Sequence, residues 1–139
     1  MKIKIIIFVL LMFIISLFTG CTSRNVESSY KQFKESFILA TDFLQTSNDS
    51  LEALKNMDEK LVKIELQKMK DSMDKIKKEL HTKDDKGIYS NMDNAYKSVD
   101  FLLKAYGKID KLTIEEKANV YTEAGIVEMY RSDIKNGDI

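Results

Sequence analysis

Proline and tryptophan are absent from this 139-residue chain, and glycine occurs five times. With no proline to remove a backbone donor and few glycines to favour left-handed backbone, long helices meet few breakers. Cysteine occurs once, at Cys21, so no internal disulfide can form and the domain must be held by its core alone. Histidine also occurs once, at His81, which excludes a zinc site built from Cys and His. Charge of one sign is lacking too, since 22 basic side chains face 22 acidic ones. That balance leaves no electrostatic footprint for nucleic acid.

What is present is concentrated at the start. Lys2 and Lys4 precede an unbroken apolar run from Ile5 to Ile15, and no charge appears from Ile5 to Gly20. A run of this length matches the apolar core of a secretion signal, whereas a membrane-spanning helix needs about 20 apolar residues. The residues Phe18, Thr19, Gly20 and Cys21 that close it resemble the lipobox of bacterial prolipoproteins. Phe18 departs from the commonest residue of that pattern, which is Leu. The resemblance implies cleavage between Gly20 and Cys21 and diacylglycerylation of the Cys21 thiol, with a further acyl chain, such as palmitate, on the new amino group. It covers the first 21 residues alone. Two or three chains anchor a protein stably where one does not. Residues 1–20 are thus expected to be a lipoprotein signal peptide and 21–28 a lipidated tether. Removing Lys2 and Lys4 with the signal leaves 20 basic against 22 acidic side chains, a net charge of about −2.

The remainder, 29–135, reads as an all-α domain, an antiparallel bundle of about four helices, followed by a tail at 136–139 expected to fray. Tyr30, Phe33, Phe37, Ala40 and Leu44 recur at steps of three and four, widened by Ile38 and Phe43, and predict an amphipathic helix over about 28–46. Asp49 with Glu52 forms a capping-box pattern that opens a second helix. That helix is expected to run unbroken to Leu80 along a near-heptad seam of Leu51, Leu54, Met57, Leu61, Ile64, Met69, Met73 and Ile76, about 32 residues and ~48 Å long. Pairs Glu59/Lys63, Asp71/Lys75 and Asp74/Lys78 support its outer face. A turn over 81–87 with Gly87 ends it. Ser90 and Asp93 cap a third helix carrying Met92, Tyr96, Val99, Leu102 or Leu103, and Tyr106, with Gly107 as its stop. Thr113 and Glu116 make another capping box, opening a fourth helix with Ile114, Ala118, Tyr121, Ala124 or Gly125, Val127, Tyr130 and Ile134 facing inward.

Chemistry is hard to place on this framework. His81 has no accompanying nucleophile or base in a known motif, and reads as a solvated residue at a helix end. The segment Asp84 to Asp93 superficially resembles a calcium loop, but registering Gly87 at the sixth position puts Thr82 first and Lys86 fifth, and Asp93 stands where a bidentate Glu is required. Met57, Met69, Met73 and Met92 sit at helical spacing and read as core rather than as a binding groove. Tyr89, Tyr96, Tyr106, Tyr121 and Tyr130 read as a half-buried rim ahead of a contact face. Glu115, Glu116, Glu123 and Glu128 lack the E-x-x-H partner of a di-metal bundle. No catalytic, cofactor-binding or metal residue is assigned.

The expected function is that of a lipid-anchored lipoprotein at the outer face of a bacterial cell membrane, without enzymatic activity. Its helical domain would act as an interaction module for a protein partner. An exclusion or immunity lipoprotein encoded by a phage or plasmid is the first alternative. A small-ligand-binding or enzymatic bundle is the second, and a peptide released from the signal as a mating pheromone is a weaker one.

Overall fold

The aromatic stripe of the first segment winds into α1, residues 26–40, in a computed structural model that describes residues 26–80 and 83–138, the side chains of 83 and 84 excepted. Gly20 and Cys21, the expected cleavage and lipidation site, and His81 lie outside the described residues. Phe33, Phe37 and Ala40 of α1 are buried, and Phe33 stacks on Phe37 with centroids 6.4 Å apart. The expected helix to 46 instead tightens into a 3-10 turn over Asp42–Thr46. Phe43 and Leu44 keep their buried places within it.

The expected long helix is two. A short α2, Ser50–Lys55, is capped by Asp49, whose side chain accepts from the backbone N–H of Leu51 and Glu52. It closes at Asn56, after which α3 runs from Glu59 to Lys77. The break has a physical cause in the two short polar side chains around Met57. Asp58 caps α3 by accepting from Leu61 N–H, and Asn56 Nδ2 donates to Thr46 Oγ1 at 3.0 Å, while Met57 between them plugs the core. The break also shifts the seam. Val62, Leu66, Met69, Met73 and Ile76 are buried, whereas Leu61 and Ile64, expected inside, are exposed. Of the expected pairs, Lys63 meets Glu59 at 2.5 Å, and Asp71 instead accepts from Gln67.

Helix α4, Lys83–Tyr106, begins seven residues earlier than expected, so that Gly87 lies inside it rather than in a turn. An acidic residue near its start, Asp85, suits a helix N-terminus. Tyr89 packs against the core one turn before Met92, so burial rewards the extension. At 24 residues and ~36 Å it is the longest helix described. A 3-10 turn, Ile109–Lys111, leads to α5, Ile114–Asn136, opened by the expected Thr113–Glu116 capping box. Gly137, at φ 75°, ends α5, and the N–H groups of Gly137 and Asp138 donate to Ile134 and Asp133 carbonyls. The inward face of α5 is Val120, Ala124, Val127 and Tyr130. Ile114 at 89% exposure, Ala118 and Tyr121 lie outside, a correction to the expected stripe.

Helix α4 packs between α3 and α5, and the side-chain partners Ser98–Glu123 and Lys108–Glu116 run in opposite directions along α4 and α5. Partners from α1 and its following turn to α5, Phe37–Tyr130 and Gln45–Glu128, also run in opposite senses. Helices α1 and α4 therefore each run antiparallel to α5, and α2 packs against α5 and α4. The described residues are all-helical apart from their connections.

Candidate functional site

Two surface features and one buried network distinguish this bundle from a plain apolar core. The network begins where α1 ends. The Thr41 hydroxyl donates to Phe37 O at 2.7 Å and accepts from Arg131 Nη1 at 2.7 Å, and Arg131 Nη1 also donates to Ile38 O at 2.9 Å. A guanidinium from α5 thus satisfies a last-turn carbonyl of α1 and places positive charge at the negative end of that helix. Arg131 is 3% exposed. Its ion pair with Asp42, at 3.5 Å, is lopsided because the Asp42 side chain is 74% exposed. The network is therefore a splice between α1 and α5, held by hydrogen bonds rather than by the ion pair. Apart from this network, Glu65 and Ser72 of α3 and Glu79 just beyond its end, seven residues apart, each keep a buried oxygen without a hydrogen-bond partner among the described residues. Lys68 holds the other Glu65 oxygen at 2.8 Å.

The first surface feature is an apolar shelf at the α1 end remote from Val26. Leu39 and Leu61 line one cleft with Ala40, Phe43 and Val62, and Ile64 follows Leu61 by one turn. All three of Leu39, Leu61 and Ile64 are exposed. Scattered exposed leucines are ordinary on a small protein, but adjacent ones across two helices form a patch.

The second is a cleft of about 180 Å³ at the opposite end, lined by Tyr30 and Phe33 of α1, Ile88 and Met92 of α4, and Tyr130 and Ile134 of α5. Phe37 forms part of its floor and meets Tyr130 edge to face at 6.2 Å. Burial pushes the Tyr130 and Tyr30 phenols above the ordinary tyrosine range, and a hydrogen bond to Asn94 partly offsets this at Tyr130. Lys34 stands at the rim with its Nζ 4.6 Å from the Tyr30 ring centroid.

The residues weighed in the sequence fall into place differently. All four methionines, Met57, Met69, Met73 and Met92, are buried in the core, and only Met92 also reaches the cleft. The tyrosines separate: Tyr130 is buried, Tyr89, Tyr96 and Tyr106 are half-buried, and Tyr121 is exposed and donates to Asp49 Oδ2. Glu116 serves its capping box and Lys108, Glu123 accepts from Ser98, and Glu128 accepts from Gln45. The residues resembling a calcium loop lie largely within α4, where a helix cannot wrap a cation. Among the described residues, no three His, Cys, Asp or Glu side chains converge to hold a metal ion, and no helix is long and apolar enough to cross a membrane. Arg131 and Glu65 went unnoticed in the sequence because a charge on a helix reads as a surface residue. The available signal was phase: both fall on their helix's apolar stripe.

Comparisons with protein-family models, with curated proteins and with solved structures find no match to this chain.

Proposed function

We propose that this chain is a lipoprotein anchored through Cys21 at the extracytoplasmic face of a bacterial membrane, and that its helical bundle is a protein-interaction module without catalytic activity. The observation that carries the reading is the sequence Phe18-Thr19-Gly20-Cys21, closing the apolar run that begins at Ile5. The exposed shelf of Leu39, Leu61 and Ile64 supports the interaction role, because a patch spanning two helices offers more than singly exposed leucines do.

Labelled palmitate fed to cells producing the full chain is expected to enter the wild-type protein and to be lost in Cys21→Ser. Label retained at full strength in Cys21→Ser would sink the anchoring. A photo-crosslinking residue at Ile64 in intact cells is expected to give a discrete protein adduct, and adducts to lipid alone would count against the interaction role.

A further inference from the structure

The apolar cleft at the Tyr30 end has no part in an interaction surface at the Leu39 end. It lies next to where the chain comes from Cys21. Val26 precedes Tyr30 by one helical turn on the same face and packs against the core, so the chain enters the bundle beside the cleft mouth. From Cys21 to Val26 the extended chain reaches at most about 17 Å, and one further turn of ~6 Å brings it to Tyr30. An acyl chain of one leaflet is itself about 15 Å long, half of a ~30 Å hydrocarbon core. A chain attached at Cys21 can therefore fold back into the cleft without unwinding α1.

The lining suits that occupant. Phe33, Met92 and Ile134 present apolar surface, and the lining is mainly apolar although Lys34, Asn91 and Asp138 also border the cleft. A dry apolar cavity of about 150 Å³ takes a benzene, so a cleft of this size holds about six carbons of an alkyl chain. For the carbons seated in the cleft, the move from bilayer to cleft exchanges one apolar environment for another. Two further chains suffice to keep the protein on the membrane.

We infer that this cleft is the seat of one acyl chain of the protein's own Cys21 lipid, clamping the bundle by its base against the bilayer surface. The inference rests on the anchoring proposed above. It is tested by feeding cells that produce the full chain a palmitate carrying a diazirine, irradiating them, and mapping the joined peptides by mass spectrometry. The expected result is a peptide containing Cys21 joined through the acyl chain to one containing Phe33, Met92 or Ile134. Label on Cys21 without such joins overturns the cleft assignment and leaves anchoring standing, whereas absence of label from Cys21 overturns both. Phospholipid adducts on the cleft peptides, lacking Cys21, overturn the assignment to the protein's own lipid. Ala95→Phe, which fills the floor, is expected to lower the joining at least five-fold. Ile88→Lys, at the exposed mouth and outside the core, tests the same point where Ala95→Phe fails to fold. Undiminished joining in Ile88→Lys would also overturn the assignment.

Discussion

The contribution of Arg131 depends on which of its contacts is counted. Its hydrogen bond to Thr41 Oγ1 is buried and that to Ile38 O part-buried, and truncating the guanidinium would take one donor from each, leaving Ile38 O the Thr41 N–H alone from the backbone and the Thr41 hydroxyl its bond to Phe37 O. Asp42, by contrast, already faces water. Arg131→Met is therefore expected to cost about 3 kcal/mol and Asp42→Asn less than ~1 kcal/mol, measured by urea unfolding. Equal losses from the two variants would show that the ion pair, not the splice, holds α1 to α5. Asp49 makes the complementary prediction about pH. Its carboxyl is held below the ordinary range chiefly by the Glu52 backbone N–H, then by the Tyr121 hydroxyl. A depressed folded value means that the stabilisation is present above the unfolded value and is lost as pH falls through the folded one. Asp49→Asn keeps a capping side chain but removes the titration, so its stability should decline less steeply below the ordinary carboxylate range than the wild type's, with little change at neutral pH. Parallel acid limbs in the two proteins would contradict this. Glu116, depressed chiefly by Lys108 and then by the Thr113 backbone, titrates in the same sense and accounts for part of the acid loss that remains.

At the scale of the element, glycine behaves differently in three places. Gly87 and Gly125 lie within α4 and α5, and a methyl group at either would meet nothing within 4 Å. Neither has a positive φ, so Gly87→Ala and Gly125→Ala are each expected to raise stability by about 0.5–1 kcal/mol, seen as a rise of a few degrees in Tm. Gly137→Ala, at φ 75°, is expected to lower it by about 1 kcal/mol. Gly87 also marks where the sequence misled. Reading it as a turn shortened α4, because a glycine between acidic residues and apolar ones resembles a stop when the packing of Tyr89 is not visible. Amphipathic spacing carried the existence of the main helices, and the Thr113–Glu116 box carried the start of α5, since both are local. Asn56, Met57 and Asp58 broke the long second helix by a competition between side chain and backbone that periodicity does not register. Once that break advanced the phase of α3, Leu61 and Ile64 turned outward, so the shelf was hidden in the sequence as core. The cleft was hidden for another reason, as it draws on three helices far apart in the chain.

On the scale of the whole molecule, the two apolar features stand at opposite ends of α1, and the distance between them sets what the protein can reach. Nine residues of helix separate Tyr30 from Leu39, about 14 Å, and the segment from Cys21 to Val26 adds at most about 17 Å. Under the anchoring proposed here, the shelf is therefore confined to a layer within about 40 Å of the lipid surface, even allowing for the cleft's own turn of helix. A partner embedded in the membrane would meet the shelf at a fixed height, whereas a soluble partner would be indifferent to it. Ten Gly and Ser residues inserted after Ser23 would add a flexible span of about 17 Å without touching any described residue. Adducts formed at Ile64 are expected to fall several-fold in yield in that variant while palmitate labelling of Cys21 stays unchanged. Adducts of undiminished yield would place the partner in solution and separate the height of the bundle from its role. A loss of labelling together with adducts would instead assign the effect to the anchor itself.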